Sequence, residues 1–198
     1  MKILLERGDV NSDSSDEDGR TPLFYAAECE HEGIVNILLE RGDVDSDSSD
    51  KYGQTPLSRA AQYGYEGIVK MLLERGDVNS DSSDKYGRTP LSYAAEGKIK
   101  THYKESGSMP PCSPRLSGYE ALVKILLERG DVNPESSDND GRTPLMHAER
   151  SGKIGVVRLL SEPRPLSSRA SQTSDLTLNV SSPARVLKRK RSPVLYHN

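Results

Sequence analysis

Between Gly42 and Arg75 the apolar positions fall in two short helical patterns separated by polar text. Asp43 to Tyr52 is polar, rich in Ser and Asp, and followed by Gly53, which predicts a loop or extended hairpin. Thr55-Pro56 then predicts a helix start: the Thr hydroxyl accepts from a free N–H, and Pro fits the first turn because it lacks a donor. Leu57, Ala60 and Ala61 follow at helical spacing, and the paired alanines allow a neighbouring helix to come close. Gly64 ends this helix. Gly67 to Arg75 forms a second one with a broad apolar face, closed by Gly76. Gly42, just past the preceding helix, is expected to take the left-handed conformation. Neither helix is long enough to be stable alone, so each unit must bury its apolar face against another.

The units repeat. Leu-Leu-Glu-Arg-Gly-Asp-Val begins at Leu4, Leu38, Leu72 and Leu126, and Thr-Pro-Leu begins at Thr21, Thr55, Thr89 and Thr143. Both phrases recur at spacings of 34, 34 and 54 residues. Two unrelated phrases sharing one period predict a stack of like units, with a long exposed face and no enclosed core for a reactive centre. That shifts the functional question from catalysis to binding.

Composition supports this reading. The chain is 33% hydrophobic, has no Trp and one Phe, so small aliphatic contacts repeated many times must hold it together. No run approaches the length of a transmembrane helix, and Met1 to Arg7 is too short an apolar run for a signal peptide. Cys29 and Cys112 suggest no disulfide framework, so an intracellular protein, in cytoplasm or nucleus and off the membrane, is expected. The net charge of −3 hides an asymmetry: residues 163–198 and 97–117 are basic, and the repeat body is strongly acidic. An acidic body disfavours nucleic acid as a direct partner of the repeats, because phosphate contacts need Lys and Arg.

The frame Gly-x-Thr-Pro-Leu, two alanines, Gly, Ile-Val-x-Leu-Leu and a closing Gly, met from Gly53 to Gly76, resembles the ankyrin repeat. The resemblance implies an all-α solenoid of helix-turn-helix units with hairpin-like loops. It implies a non-enzymatic, cofactor-free module, expected to be a monomer, that binds another protein through hairpin tips and the concave face of the first helices. Departures are visible: Phe24, Ser58, Ser92 and Met146 stand where the family has His, which removes the usual brace of the hairpin. The Ser-Asp-Ser-Ser-Asp wording and the near-identity of units look like ankyrin arrays of filamentous fungi. Such arrays often end large NACHT-type sensors, and a detached recognition array of that kind is the alternative reading. A nuclear adaptor using the basic tail is another.

By position, the partner-facing residues implied are Arg20, Tyr52, Tyr86, Arg88 and Arg142 at the tips, and Tyr25, Arg59, Tyr93 and His147 on exposed first-helix positions. Glu17, Asp18, Lys51, Gln54, Lys85, Asn139 and Asp140 share the tips.

Residues 1–162 are read as the array and 163–198 as a disordered, Ser/Pro-rich basic tail. Residues 1–8 match only a second helix, so the chain is expected to be truncated or a fragment of a longer protein. Residues 97–117 stand where the neighbouring unit has only Tyr63. They read as an interaction loop, as a disordered surface loop, or as a retained intron; the intron is slightly favoured, since removing the insertion restores the period. Glu149 replaces an alanine and Ser161 a leucine, as a terminal cap would have it. In the tail, Lys188, Arg189, Lys190 and Arg191, followed by Ser192-Pro193, read as a nuclear import cluster or as an unstructured basic end.

Other chemistry is not supported. His31, His102, His147 and His197 lack ligand spacing, and the acidic loop from Asp13 to Asp18 lacks the ligand order of a calcium hand. No phosphate loop or nucleophile elbow is present. The four Arg-Gly-Asp triplets place their Gly at a helix stop, which argues against an adhesion ligand.

Overall fold

The computed structural model describes residues 11–97 and 118–162. Eight helices form among them: α1 Pro22–Glu28, α2 Glu32–Leu39, α3 Pro56–Tyr63, α4 Glu66–Glu74, α5 Pro90–Glu96, α6 Gly118–Glu128, α7 Pro144–Arg150 and α8 Ile154–Ser161. No strand occurs among the described residues. The expected fold class holds: paired helices joined by turns, with irregular loops between pairs.

Local chemistry sets the starts. Thr21, Thr55, Thr89 and Thr143 each take an extended backbone, and each hydroxyl accepts the N–H of the residue three positions on. A Pro follows in the first turn every time, where its missing donor costs nothing. Ser92 completes a reciprocal cap, its hydroxyl accepting the Thr89 N–H at 2.9 Å.

First helices stack in one layer in the order α1, α3, α5, α7, and second helices in another in the order α2, α4, α6, α8. Ala26-Ala27, Ala60-Ala61 and Ala94-Ala95 are fully or almost fully buried, which is what lets the first helices approach. Leu23, Leu57 and Leu91 fill the space below them, with Ile68, Val69, Leu72, Leu122, Val123 and Leu126 from the second layer. Each such side chain contributes about 1.5–3 kcal/mol. The stacking order continues past residues 98–117: the Tyr119 hydroxyl, on α6, donates to the Gln62 carbonyl of α3 at 3.1 Å. In the fourth unit Glu149 is exposed where alanine stands elsewhere.

One turn differs from expectation. Gly64 ends α3 in the left-handed region at φ +77°, but Gly42 and Gly76 do not adopt positive φ; of the equivalent glycines described, Gly130 does, at +73°. The turns after α2 and α4 are clasped instead by side chains. Arg41 and Arg75 each form a two-pronged pair with the Asp two residues on, at 2.9–3.1 Å for Asp43 and 2.8–3.0 Å for Asp77. Arg75 also donates to the Leu39 carbonyl of the preceding unit at 2.8 Å, and Arg129 to that of Leu73. The triplets at Arg75 and Arg129 are thus internal braces that satisfy the last carbonyls of one helix from the next unit.

Candidate partner-binding surface

Each loop turns on one aspartate. Asp16, Asp50, Asp84 and Asp138 stand at the same register, and Oδ1 of each accepts the N–H groups two and four residues on, at 2.8–3.0 Å. The other oxygen faces the following first helix. Asp16 accepts from the Tyr25 hydroxyl at 2.6 Å, Asp84 accepts from the Tyr93 hydroxyl, and Asp138 pairs with His147 Nε2 at 2.8 Å. Asp50 has only the Arg59 guanidinium, 3.9 Å away. The brace lost with the family's usual His is therefore rebuilt one residue further along the helix, by Tyr, Arg, Tyr and His in turn.

This corrects two expectations of exposure. Tyr93 and His147 are 3% and 2% exposed and hold the loop to the helix. Gln54, a residue of the preceding tip, is also buried and donates to the Tyr93 hydroxyl. Arg59 is partly covered, lying near Glu28 and Asp50 and donating to Gln62 Oε1 at 3.0 Å. Burial, with help from Asp84, pushes the Tyr93 hydroxyl pKa well above its ordinary value, so the phenol stays a donor. Burial pushes the Asp138 carboxyl up, but the Arg142 N–H, the His147 ring and the Asp140 N–H outweigh it and hold the group below the ordinary range. With that sign, the stability from Asp138 is present above the unfolded carboxylate pKa and lost as pH falls through the lower folded value.

Successive tips are joined by backbone. The Lys51 N–H donates to the Asp18 carbonyl at 2.7 Å, Lys85 to Tyr52 at 2.9 Å, and Asn139 to Tyr86 at 2.9 Å. The result is two parallel files: Glu17, Lys51, Lys85, Asn139 and Asp18, Tyr52, Tyr86, Asp140. Tyr52 and Tyr86 are 39% and 54% exposed on this rigid edge, and the Lys51 ammonium sits 5.2 Å from the Tyr52 ring centre. Tyr25 is 40% exposed but tied to Asp16. Arg20, Arg88 and Arg142 are half-buried, pairing with Asp18, Glu96 and Asp140. The expected tip residues thus divide into two exposed tyrosines and three arginines engaged locally.

A second set of aspartates went unread in the sequence. Asp13, Asp47 and Asp81 accept backbone N–H groups from the next unit, from Asp45 at 3.3 Å, Asn79 at 2.8 Å and Asn133 at 3.3 Å. The signal was present, since the same Asp recurs at the same register, but its partner lies a whole unit away. Burial raises the pKa of Asp47, with Asp45 and Asp77 adding to the rise, and burial raises that of Asp81. A raised folded pKa means stability that is fully present below the unfolded value and lost as pH rises through the folded one. Asp47→Asn keeps an acceptor for Asn79 and removes the charge. It is expected to raise the urea midpoint at pH 7 slightly and to flatten the pH dependence between the ordinary carboxylate pKa and neutrality. A lower midpoint at pH 7 would show that the charge is needed.

Among the described residues no group of three or more His, Cys, Asp or Glu is arranged to hold a metal ion, and no helix is long and apolar enough to cross a membrane. Lys188 to Arg191 and all of the insertion except Gly97 lie outside the described residues.

A family model for ankyrin repeats (3 copies) matches residues 1–48 and 43–104, more than half of the chain. The chain belongs to the ankyrin repeat family. No curated protein matches it. Ankyrin repeats are generally protein–protein interaction modules. The unit from Asp131 to Ser161, beyond the matched range, uses the same capping Thr, the same loop aspartate and the same helix pairing, and so is an ankyrin repeat in structure too.

Proposed function

We propose that this ankyrin array is a non-enzymatic module that binds another protein along the file of loop tips, with Tyr52 and Tyr86 as its anchors. The observation that carries this reading is the pairing of high exposure with a fixed backbone: both tyrosines stand on loops locked by an internal aspartate and by the next tip. Large aromatic side chains on a rigid edge lose little conformational entropy on binding, and tyrosine is enriched among residues that dominate binding energy. Lys51 and Lys85 flank them and favour a partner with acidic groups at the matching positions. Arg20, Arg88 and Arg142 contribute as the rim, and Tyr25 as a further aromatic contact. Tyr93, His147 and Arg59 act behind this surface by holding its loops. The array is taken to comprise residues 1–162 with the insertion at 97–117, and the basic segment 163–198 to be separate from it.

The test is a partner captured by crosslinking to the intact chain, then titrated calorimetrically against variants. Tyr52→Ala and Tyr86→Ala are each expected to cost about 2 kcal/mol of binding, with the unfolding midpoint unchanged. Unchanged affinity, or loss of affinity only in step with unfolding, would refute the assignment.

A further inference from the structure

Four serines occupy one register in the four loops: Ser15, Ser49, Ser83 and Ser137. All four are exposed, and each immediately precedes the aspartate on which its loop turns. Backbone setting and accessibility are therefore matched, while the residue three positions on is not. It is Asp18 after Ser15 and Asp140 after Ser137, but Tyr52 after Ser49 and Tyr86 after Ser83. Ser15 has acids at each of the next three positions, Asp16, Glu17 and Asp18. Ser14, beside it, has Glu17 three positions on.

We propose that Ser15, and by the same pattern Ser137, are phosphorylation sites for an acid-directed serine/threonine kinase, and that Ser49 and Ser83 are not. A kinase whose substrate groove is basic selects carboxylates following the acceptor, and a Lys-Tyr pair at those positions presents a cation and a bulky ring instead. In the transfer, Ser15 Oγ attacks the γ-phosphorus of ATP, the bond from that phosphorus to the ADP oxygen breaks, and the hydroxyl proton passes to the kinase base. ADP leaves. Asp18 already pairs with Lys51 at 2.8 Å and Asp140 with Arg142 at 2.6 Å. Such exposed pairs are weak enough for a basic groove to replace.

The product has a place to sit. Ser14, Ser15, Asp16, Arg20, Pro22 and Tyr25 line one open hollow, so a phosphate on Ser15 would share it with Arg20, beside Asp16. Phosphorylation adds about −1.5 to −2 charges at the first and fourth tips, on either side of the Lys-Tyr tips. That deepens the contrast between the acidic end tips and the two Lys-Tyr tips between them, which would sharpen selection among partners.

The experiment uses the full chain, a purified acid-directed casein kinase and ATP, with site occupancy read by mass spectrometry. Ser15 and Ser137 are expected to carry about tenfold more phosphate than Ser49 and Ser83. Exchanging tips supplies the control: Glu17→Lys with Asp18→Tyr is expected to abolish labelling at Ser15, and Tyr52→Asp to create it at Ser49. Both exchanges install residues already found at that register, so folding is preserved, as circular dichroism would verify. Equal labelling at all four serines overturns the proposal. So does no labelling of the folded chain alongside labelling of a peptide spanning Asn11 to Arg20.

Discussion

Replacing Asp84 by alanine is expected to destabilise the array by about 3 kcal/mol. Three donors lose their acceptor at once: the N–H groups of Tyr86 and Arg88 and the hydroxyl of Tyr93. The site is dry, with Asp84 7% and Tyr93 3% exposed, so water does not readily replace the carboxylate. The loss also spreads to the neighbouring unit, because Gln54 is oriented by the same hydroxyl. The repeats provide an internal ranking. Asp50 bonds the same two backbone groups but meets Arg59 only at 3.9 Å, so Asp50→Ala should cost less. Tyr93→Phe, which removes the bonds to Asp84 and from Gln54 and keeps the ring, should cost about 1–2 kcal/mol. Urea unfolding of the three variants reads all of this. Equal losses for Asp84→Ala and Tyr93→Phe would show that the hydroxyl bond, not the loop, is what Asp84 supplies.

What the sequence made legible is what depends on near neighbours. Thr-Pro announces a helix start because the cap bond spans three residues, and the alanine pairs announce a close helix contact because nothing larger fits. Gly64 was readable for the same reason. The exposure of first-helix side chains was not, because it is decided by the next unit. Tyr25 and Tyr93 occupy the same register and bond the same kind of aspartate, yet one is 40% exposed and the other 3%. The difference includes Gln54, brought over Tyr93 by stacking. Gly42 misled for a related reason, and Gly76 shares its setting. They sit at helix ends where a left-handed glycine is common, but the Arg-Asp clasp closes each turn in another way. A Cβ at either position would meet nothing within 4 Å. The tip tyrosines were legible as candidates because they vary where the frame does not; the ladder that makes them rigid became visible only once the units were stacked.

That ladder can be tested where two tips come closest. Gly87 and Gly141 share a left-handed backbone, at φ +74° and +76°. Any other L-residue there pays about 1–2 kcal/mol for the conformation alone. The surroundings differ. A Cβ on Gly87 would lie 2.8 Å from Asn139 Oδ1, 3.0 Å from the Asn139 nitrogen and 3.1 Å from Asp138 Cα, whereas one on Gly141 would meet nothing within 4 Å. The Asn139 amide can turn away, but the nitrogen and Cα cannot move without breaking the bond from Asn139 to the Tyr86 carbonyl. Gly141→Ala should therefore show the conformational cost only, and Gly87→Ala that cost plus about 1–3 kcal/mol of overpacking. The excess should appear with faster hydrogen exchange at the Asn139 amide. Should the two variants lose the same stability, the tips are not in tight register, and the rigidity credited to Tyr86 as a binding anchor fails with it.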